Sequence, residues 1–118
     1  MENIHTIMKK IIILCLALFF ITKIGYSQKV FSVNYDYQAD VKVYVTDYEH
    51  QADLIVCKVD YEHKAQQPGL WYFTDYDYQA DKRIFFTDYD YQADIKIYFT
   101  DMEHKAGWKN KSKQHLFY

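Results

Sequence analysis

Apolar and polar residues alternate along a unit of about thirteen residues that recurs through most of the chain. In the unit 88–100 one parity holds Tyr89, Tyr91, Ala93, Ile95, Ile97 and Phe99, and the other holds Asp90, Gln92, Asp94, Lys96, Tyr98 and Thr100. Successive side chains of a strand point to opposite faces, so this pattern predicts an extended segment whose first face is buried. The Tyr, Ile, Phe and Thr content of the unit is also typical of strands.

The unit occurs six times. It begins at Asn34, Asp47, Asp60, Asp75, Asp88 and Asp101, with spacings of 13, 13, 15, 13 and 13 residues. Because the period is odd, an uninterrupted strand would turn the next apolar set outward, so a turn, corner or bulge must absorb one residue per unit. The Thr-Asp pairs and the Gln-Ala-Asp triplets are the candidate positions. We therefore predict an all-β fold of six tandem strand repeats that closes into one small sheet.

The segment 66–69, Gln-Gln-Pro-Gly, accounts for the one spacing of fifteen and divides the array into two halves of three units. Pro-Gly is typical of turns. After the sixth unit the sequence departs from the repeat. We predict that Trp108 and the closing residues Leu116, Phe117 and Tyr118 cover the last open edge of the sheet, because exposed edges promote aggregation.

Residues 1–27 have the features of a secretory signal peptide. Two lysines precede the apolar run 11–21, and small residues at 25 and 27 favour cleavage between Ser27 and Gln28. The run is short for a membrane span, although an uncleaved anchor is the alternative, and Met8 is a second candidate initiator. We predict a single exported domain, 28–118, that is periplasmic or secreted and has no membrane span after cleavage.

The charge and cysteine content narrow the functional classes. The sequence has 14 basic and 16 acidic residues, and removal of the predicted signal peptide leaves 11 and 15, a net charge of −4. Mild acidity argues against binding to nucleic acid or to an anionic membrane. Only Cys57 remains after cleavage, so no internal disulfide is possible. We expect this thiol to be incidental and half-exposed, and the domain to be a monomer.

Two sets of residues are candidates for a metal site. Asp75, Asp77 and Asp81 alternate along one unit, but the glycine and glutamate of an EF-hand loop are missing. Structural turn-capping is the other interpretation of these carboxylates. The second set is His50, His63 and His104, which share one repeat position on the inward parity. They would converge for zinc if the units stack, or would simply replace tyrosines in an amphipathic slot.

Neither catalysis nor a cofactor is predicted. The acids recur in every unit, whereas a catalytic pair is a unique feature, and we found no nucleophile motif or phosphate-binding loop. A possible partner surface consists of the outward aromatics Tyr44, Tyr72, Phe85 and Tyr98, which alternate with lysine and arginine. Such a face could bind a glycan or a protein partner, although a solvated sheet face with cross-strand pairs explains it as well.

The tandem run Asp-Tyr-[Asp/Glu]-[Tyr/His]-[Gln/Lys]-Ala-Asp, the strand 70–73 and the ending Ala-Gly-Trp-Lys-Asn-Lys-Ser-Lys over 106–113 resemble the 7(1) septoil-knot domain family. The resemblance covers about residues 31–116 and implies a small bacterial domain tied in a seven-crossing torus knot. It implies no activity and no catalytic residues. On this basis we expect each half to make one circuit, with 66–69 as the link and strands of one circuit paired with those of the other. Two hypotheses follow: a durable, non-catalytic structural or binding module, or a weak calcium- or zinc-binding module.

Overall fold

The computed structural model describes residues 28–118, and the predicted signal peptide lies outside this part of the chain. The described chain contains the strands β1 Lys29–Ser32, β2 Val41–Val45, β3 Leu54–Lys58, β4 Leu70–Phe73, β5 Lys82–Phe86, β6 Ile95–Phe99 and β7 Gly107–Trp108. A short 3₁₀ turn follows each of the first six strands, at Asp36–Gln38, Glu49–Gln51, Glu62–Lys64, Asp77–Gln79, Asp90–Gln92 and Glu103–Lys105. We call each segment between consecutive strands a corner. A last 3₁₀ helix spans Lys111–Leu116.

The first six strands close into an all-parallel barrel with the order β4-β1-β5-β2-β6-β3, and pairing of β3 with β4 completes the ring. Every strand of the first half, β1 to β3, therefore lies between two strands of the second half, β4 to β6. The chain makes two interleaved circuits, and the segment 66–69 lies in the connection from β3 to β4. This confirms the predicted two-circuit arrangement. The parallel direction of all six strands was not predicted.

The strands are strongly staggered. Ser32 of β1 and Val41 of β2 both align with Ile84 of β5, which lies between them. The repeat equivalent of Ser32 is Val45, so consecutive units are offset by four residues over two strand steps, or two residues per step. That offset is about 6.6 Å along the strand against ~4.8 Å between strands. The strands therefore tilt by more than about 45° from the barrel axis, a steep version of the tilt that barrel closure requires.

Inward-pointing side chains from equivalent repeat positions fill the barrel in layers. The middle layer is fully buried and consists of Val30, Val43, Val56, Trp71, Ile84 and Ile97. On one side of it lie the buried Val41, Leu54 and Ile95, and on the other the partly buried Phe73, Phe86 and Phe99. Interior packing of this kind is typical of small barrels. The predicted inward parity is thus confirmed within the strands.

The predicted parity is wrong in the corners. Tyr89 is 55% exposed and Tyr91 is 77% exposed, although both were expected to be buried. The reason is the 3₁₀ turn Asp90–Gln92, which interrupts the two-residue alternation and turns both rings toward solvent. Conversely, Thr46, Thr74 and Thr87 were placed on the outer parity and are buried.

The C-terminal segment covers part of one edge of β3 and one end of the barrel. Only the last two residues of β3, Cys57 and Lys58, pair with β4. The first part of that edge of β3 therefore has no partner in β4. β7 pairs there in the antiparallel direction, with Trp108 opposite Leu54. The ring of Phe117 then covers the open barrel end at 5.3 Å from the ring of Trp71. The predicted covering of the open sheet edge is confirmed for Trp108, whereas Phe117 lies over a barrel end and Tyr118 is 50% exposed.

Gly69 occupies the crowded junction of β3, β4 and β7. Its φ is +86°, and a Cβ at this position would lie 2.5 Å from the carbonyl oxygen of Ile55 and 2.6 Å from the nitrogen of Gly107. Only glycine tolerates both the left-handed backbone and this close approach. Within residues 28–118 no helix has the length and apolar character needed to cross a membrane.

Candidate functional site

The corner sequence Thr-Asp-Tyr-Asp-Tyr-Gln-Ala-Asp forms a 3₁₀ turn through local hydrogen bonds. In the corner after β5, the Tyr89 amide donates to Thr87 Oγ1 at 3.3 Å, and that hydroxyl donates to Gln92 Oε1 at 3.3 Å. The corner after β4 makes the same two bonds from Thr74. A hydroxyl that bonds the backbone two residues on is a recognised turn motif. The motif explains why these threonines are buried.

Five of the six corners, all but the one after β6, present a pair of aromatic rings on the outside of the barrel. The pairs, with ring-centroid distances of 5.5 to 5.8 Å, are Tyr35–Tyr37, Tyr48–His50, Tyr61–His63, Tyr76–Tyr78 and Tyr89–Tyr91. We call these five pairs the corner aromatics. Their tyrosines are 55 to 78% exposed, and Tyr37, Tyr78 and Tyr91 are the most exposed of them. Sequence reasoning missed this surface because it placed these rings in the core.

In four corners the last aspartate forms hydrogen bonds with the backbone of a neighbouring strand. Its amide donates to a backbone carbonyl while its Oδ2 accepts the amide of the same residue, at distances of 2.7 to 2.9 Å; the pairs are Asp40–Arg83, Asp53–Lys96, Asp81–Lys29 and Asp94–Lys42. We call this arrangement the aspartate clamp. It fastens the start of one strand to a strand from the other half of the chain. The structural interpretation of these acids, as groups that bond backbone, is thereby supported.

The candidate metal ligands do not come together. Asp81 belongs to an aspartate clamp, Asp77 faces Arg83 at 3.7 Å, and Asp75 is exposed. His50, His63 and His104 were expected on the inward parity, but all three are exposed on separate corners because the 3₁₀ turns rotate them outward. Within residues 28–118 no three His, Cys, Asp or Glu side chains are placed to hold a metal ion.

The outward residues Tyr44, Tyr72, Phe85 and Tyr98 lie on four different strands, as expected, but they are only partly exposed. Phe31 and Cys57 occupy the same repeat position on β1 and β3. The six residues form a belt around the outer wall of the barrel. Cys57 is only 4% exposed, so the expectation of a half-exposed thiol is wrong. Burial, together with the charges of Asp101 and Glu103, raises the pKa of the Cys57 thiol and keeps it protonated.

A groove opens over the belt at β1. Its volume is about 430 Å³, and it is lined by Phe31, Val33, Tyr37, Gln38, Asp77 and Arg83. One wall comes from the corner after β1 and the other from the corner after β4, which carries the chain from β4 across β1 to β5. A ring, an amide, a carboxylate and a guanidinium therefore converge on one recess. A second recess of about 330 Å³ lies beside Cys57 and Lys58.

Two ionisable groups are tied into the scaffold. The carboxyl of Asp53 is partly desolvated, which opposes its ionisation, but hydrogen bonds from the Lys96 amide, Asn110 and Lys113 together with the Lys113 charge outweigh this and lower its pKa. A hydrogen bond and the charge of Glu62, 2.9 Å away, outweigh desolvation and raise the pKa of Lys29. The Asp53 contacts join the two halves of the chain and its C-terminal segment, whereas the Lys29–Glu62 pair lies within the first half.

Two interleaved circuits in one closed sheet, with the corners of each crossing strands of the other, define a knotted all-β domain. Residues 27–109 match the family model described as the 7(1) septoil knot domain, and the chain belongs to that family. No curated protein and no solved structure matches the chain significantly. The resemblance seen in the sequence is confirmed over most of the domain.

Proposed function

We propose that this protein is an exported, non-catalytic binding module that engages a partner outside the cell through its corner aromatics. The observation that carries the proposal is the exposure of these rings. Aromatic pairs recur in the corners around the barrel, and tyrosine is enriched at interfaces because it combines an apolar ring with a polar hydroxyl. Tyr37, Tyr78 and Tyr91, each more than three-quarters exposed, are the principal contacts in this proposal.

The scaffold supports a binding role rather than catalysis. The last aspartate of the unit has a recurring structural partner in four corners, as the aspartate clamps show. The corner rings lie against one another in pairs, stacked in two corners and tilted in three, on the outside of a closed barrel. A preorganised surface binds with a smaller entropic cost than a flexible one.

Durability is the second part of the proposal. The strands of one half can leave the barrel only when the other half releases them, since each lies between two strands from that half. Slow unfolding would protect a domain that works where cellular repair is absent. The measurement is the unfolding rate in denaturant. Unfolding within seconds in moderate urea, as in ordinary small β-domains, would contradict this part.

Export rests on the apolar N-terminal segment, which precedes the domain. The test is expression of the full sequence in a bacterium, followed by intact-mass analysis of the protein outside the cytoplasm. A mature chain that begins at Gln28 is the expected result. Retention of residues 1–27 on a cytoplasmic product would refute export.

Binding is tested with exported protein on intact bacterial cells and isolated envelope. Replacement of Tyr37, Tyr78 and Tyr91 together by alanine should abolish retention on the envelope, and replacement of the same three by phenylalanine should preserve it, because the ring is kept. Equal retention by the alanine variant would refute the proposal. Thermal melts with calcium, zinc and chelator test the metal-binding alternative, for which we expect no shift.

A further inference from the structure

The groove over β1 combines features that one class of ligand uses together. Tyr37 is 78% exposed and stacks on Tyr35 with 13° between the ring planes, so the pair offers a fixed flat platform. Arg83 and Asp77 stand across the recess with their charged atoms 3.7 Å apart. Gln38 adds an amide that can donate and accept. The volume of about 430 Å³ lies within the ~300–1,000 Å³ range of small-ligand sites.

A pyranose ring presents matching chemistry. Its C–H face packs on an aromatic ring, and its neighbouring hydroxyls each donate one hydrogen bond and accept others. A carboxylate only accepts and a guanidinium only donates, so the Asp77 and Arg83 pair can bind two adjacent hydroxyls at once. Their present contact is an exposed ion pair that contributes little to stability, so a ligand that separates the two groups loses little by doing so.

Charge and shape argue against other ligands. The groove holds one carboxylate and one guanidinium and is close to neutral, so it has no excess positive charge to favour a phosphate or an acidic sugar. A folded protein partner needs roughly 800 Å² of its surface against a standard interface, far more than a recess bounded by two corners presents. A narrow, neutral chain fits the space best.

We infer that this groove is a subsite for a neutral, β-linked glycan, with Tyr37 as the stacking platform and Asp77 and Arg83 as the hydroxyl-binding pair. The inference rests on the proposed binding function and names its ligand class. Sugars with equatorial substituents, such as β-linked glucose and N-acetylglucosamine, have the flat apolar face that the platform requires. The repeat places Tyr91, Gln92, Asp36 and Lys42 at the equivalent positions around β5.

The experiment is calorimetric titration of the mature protein, residues 28–118, with three hexasaccharides. Two are neutral, the hexamers of β-1,4-linked glucose and of β-1,4-linked N-acetylglucosamine, and the third is the acidic hexamer of galacturonate. We expect binding of at least one neutral hexamer and none of the acidic one. Tyr37→Ala and Arg83→Ala should each weaken binding about tenfold, which corresponds to about 1.4 kcal/mol. Tyr37→Phe should bind within about twofold of the original.

Met102→Ala is the matched control, because Met102 is an apolar side chain, 51% exposed, in the corner after β6 and does not line this groove. It should bind the neutral hexamer normally. An equal loss in the Met102 and Tyr37 variants would overturn the groove assignment. No binding of either neutral hexamer at millimolar concentration, with envelope retention intact, would overturn the glycan class alone. Loss of both would refute the proposed function as well.

Discussion

Asp53 is the most connected of the clamp aspartates, and its replacement gives the sharpest test of the fold. Its carboxylate accepts hydrogen bonds from the Lys96 amide at 2.9 Å, Asn110 Nδ2 at 3.2 Å and Lys113 Nζ at 3.3 Å. Its side chain is 14% exposed. It therefore joins β6 of the second half, the start of β3 in the first half and the C-terminal segment.

The cost of Asp53→Ala follows from these contacts. The Lys96 amide loses its charged acceptor in a partly buried position, which costs about 1–3 kcal/mol. The Lys113 contact is half-exposed and contributes about 1 kcal/mol or less. We expect a total destabilisation of about 1–4 kcal/mol, and so a fall in Tm of at least about 4 °C for a domain of this size. Asp53→Asn keeps an oxygen for the Lys96 amide and should lose about half as much.

The assay is urea unfolding followed by tryptophan fluorescence, incubated until unfolding and refolding samples give the same curve. Asp88→Ala is the control, because Asp88 is exposed and no hydrogen bond or ion pair of it is found within residues 28–118. That variant should stay within about 0.5 kcal/mol of the original. A loss below about 0.5 kcal/mol for Asp53→Ala, or equal losses for both variants, would refute the clamp argument.

The same comparison has a pH signature. Because the folded pKa of Asp53 lies below its unfolded value, its contribution to stability is present above about pH 4 and disappears as the pH falls through the folded pKa. The stability difference between the original and Asp53→Asn should therefore shrink on acidification below pH 4. A difference that is constant down to pH 2 would contradict the assigned pKa shift.

Three further outcomes follow from packing. Phe117→Ala should destabilise the domain by about 3–5 kcal/mol through a cavity at the covered barrel end, measured by urea unfolding, whereas Tyr118→Ala, half exposed, should cost less. Gly69→Ala should prevent folding or lower Tm by more than about 10 °C, because the added Cβ would overlap backbone atoms. Gly107→Ala is the control and should lower Tm less, because the space around Gly107 is open. A larger fall in Tm for Gly107→Ala would contradict this prediction. Cys57 should react with a thiol reagent only after unfolding, and rapid labelling of the native protein would refute its burial.

The sequence predicts the strands well because burial decides them. In β6, Ile95 and Ile97 alternate with Lys96 and Tyr98, and no other arrangement buries the first pair while leaving the second outside. The prediction is wrong in the corners because local hydrogen bonds, and not burial, decide their conformation. Tyr89 and Tyr91 continue the same alternation, but the buried Thr87 hydroxyl forms a local turn whose hydrogen bonds override the apolar pattern.

The candidate site was harder to predict than the fold. Its groove brings Tyr37 together with Asp77 and Arg83, which are about forty residues away in the chain, and only the interleaved strand order makes them neighbours. A repeat period reveals which positions are equivalent but not which unit lies beside which. Four residues of the outward belt, Tyr44, Tyr72, Phe85 and Tyr98, were predicted because they lie within strands, where the alternation holds.

The interleaved order also governs when this polypeptide can acquire its shape. All pairings among β1 to β6 join a segment before residue 59 to one after residue 69, so a nascent chain with only its first three units synthesised has no native sheet contact to make. Productive folding has to wait for the second half of the molecule to emerge. The first three strands consequently have no partner strand until the second half is available.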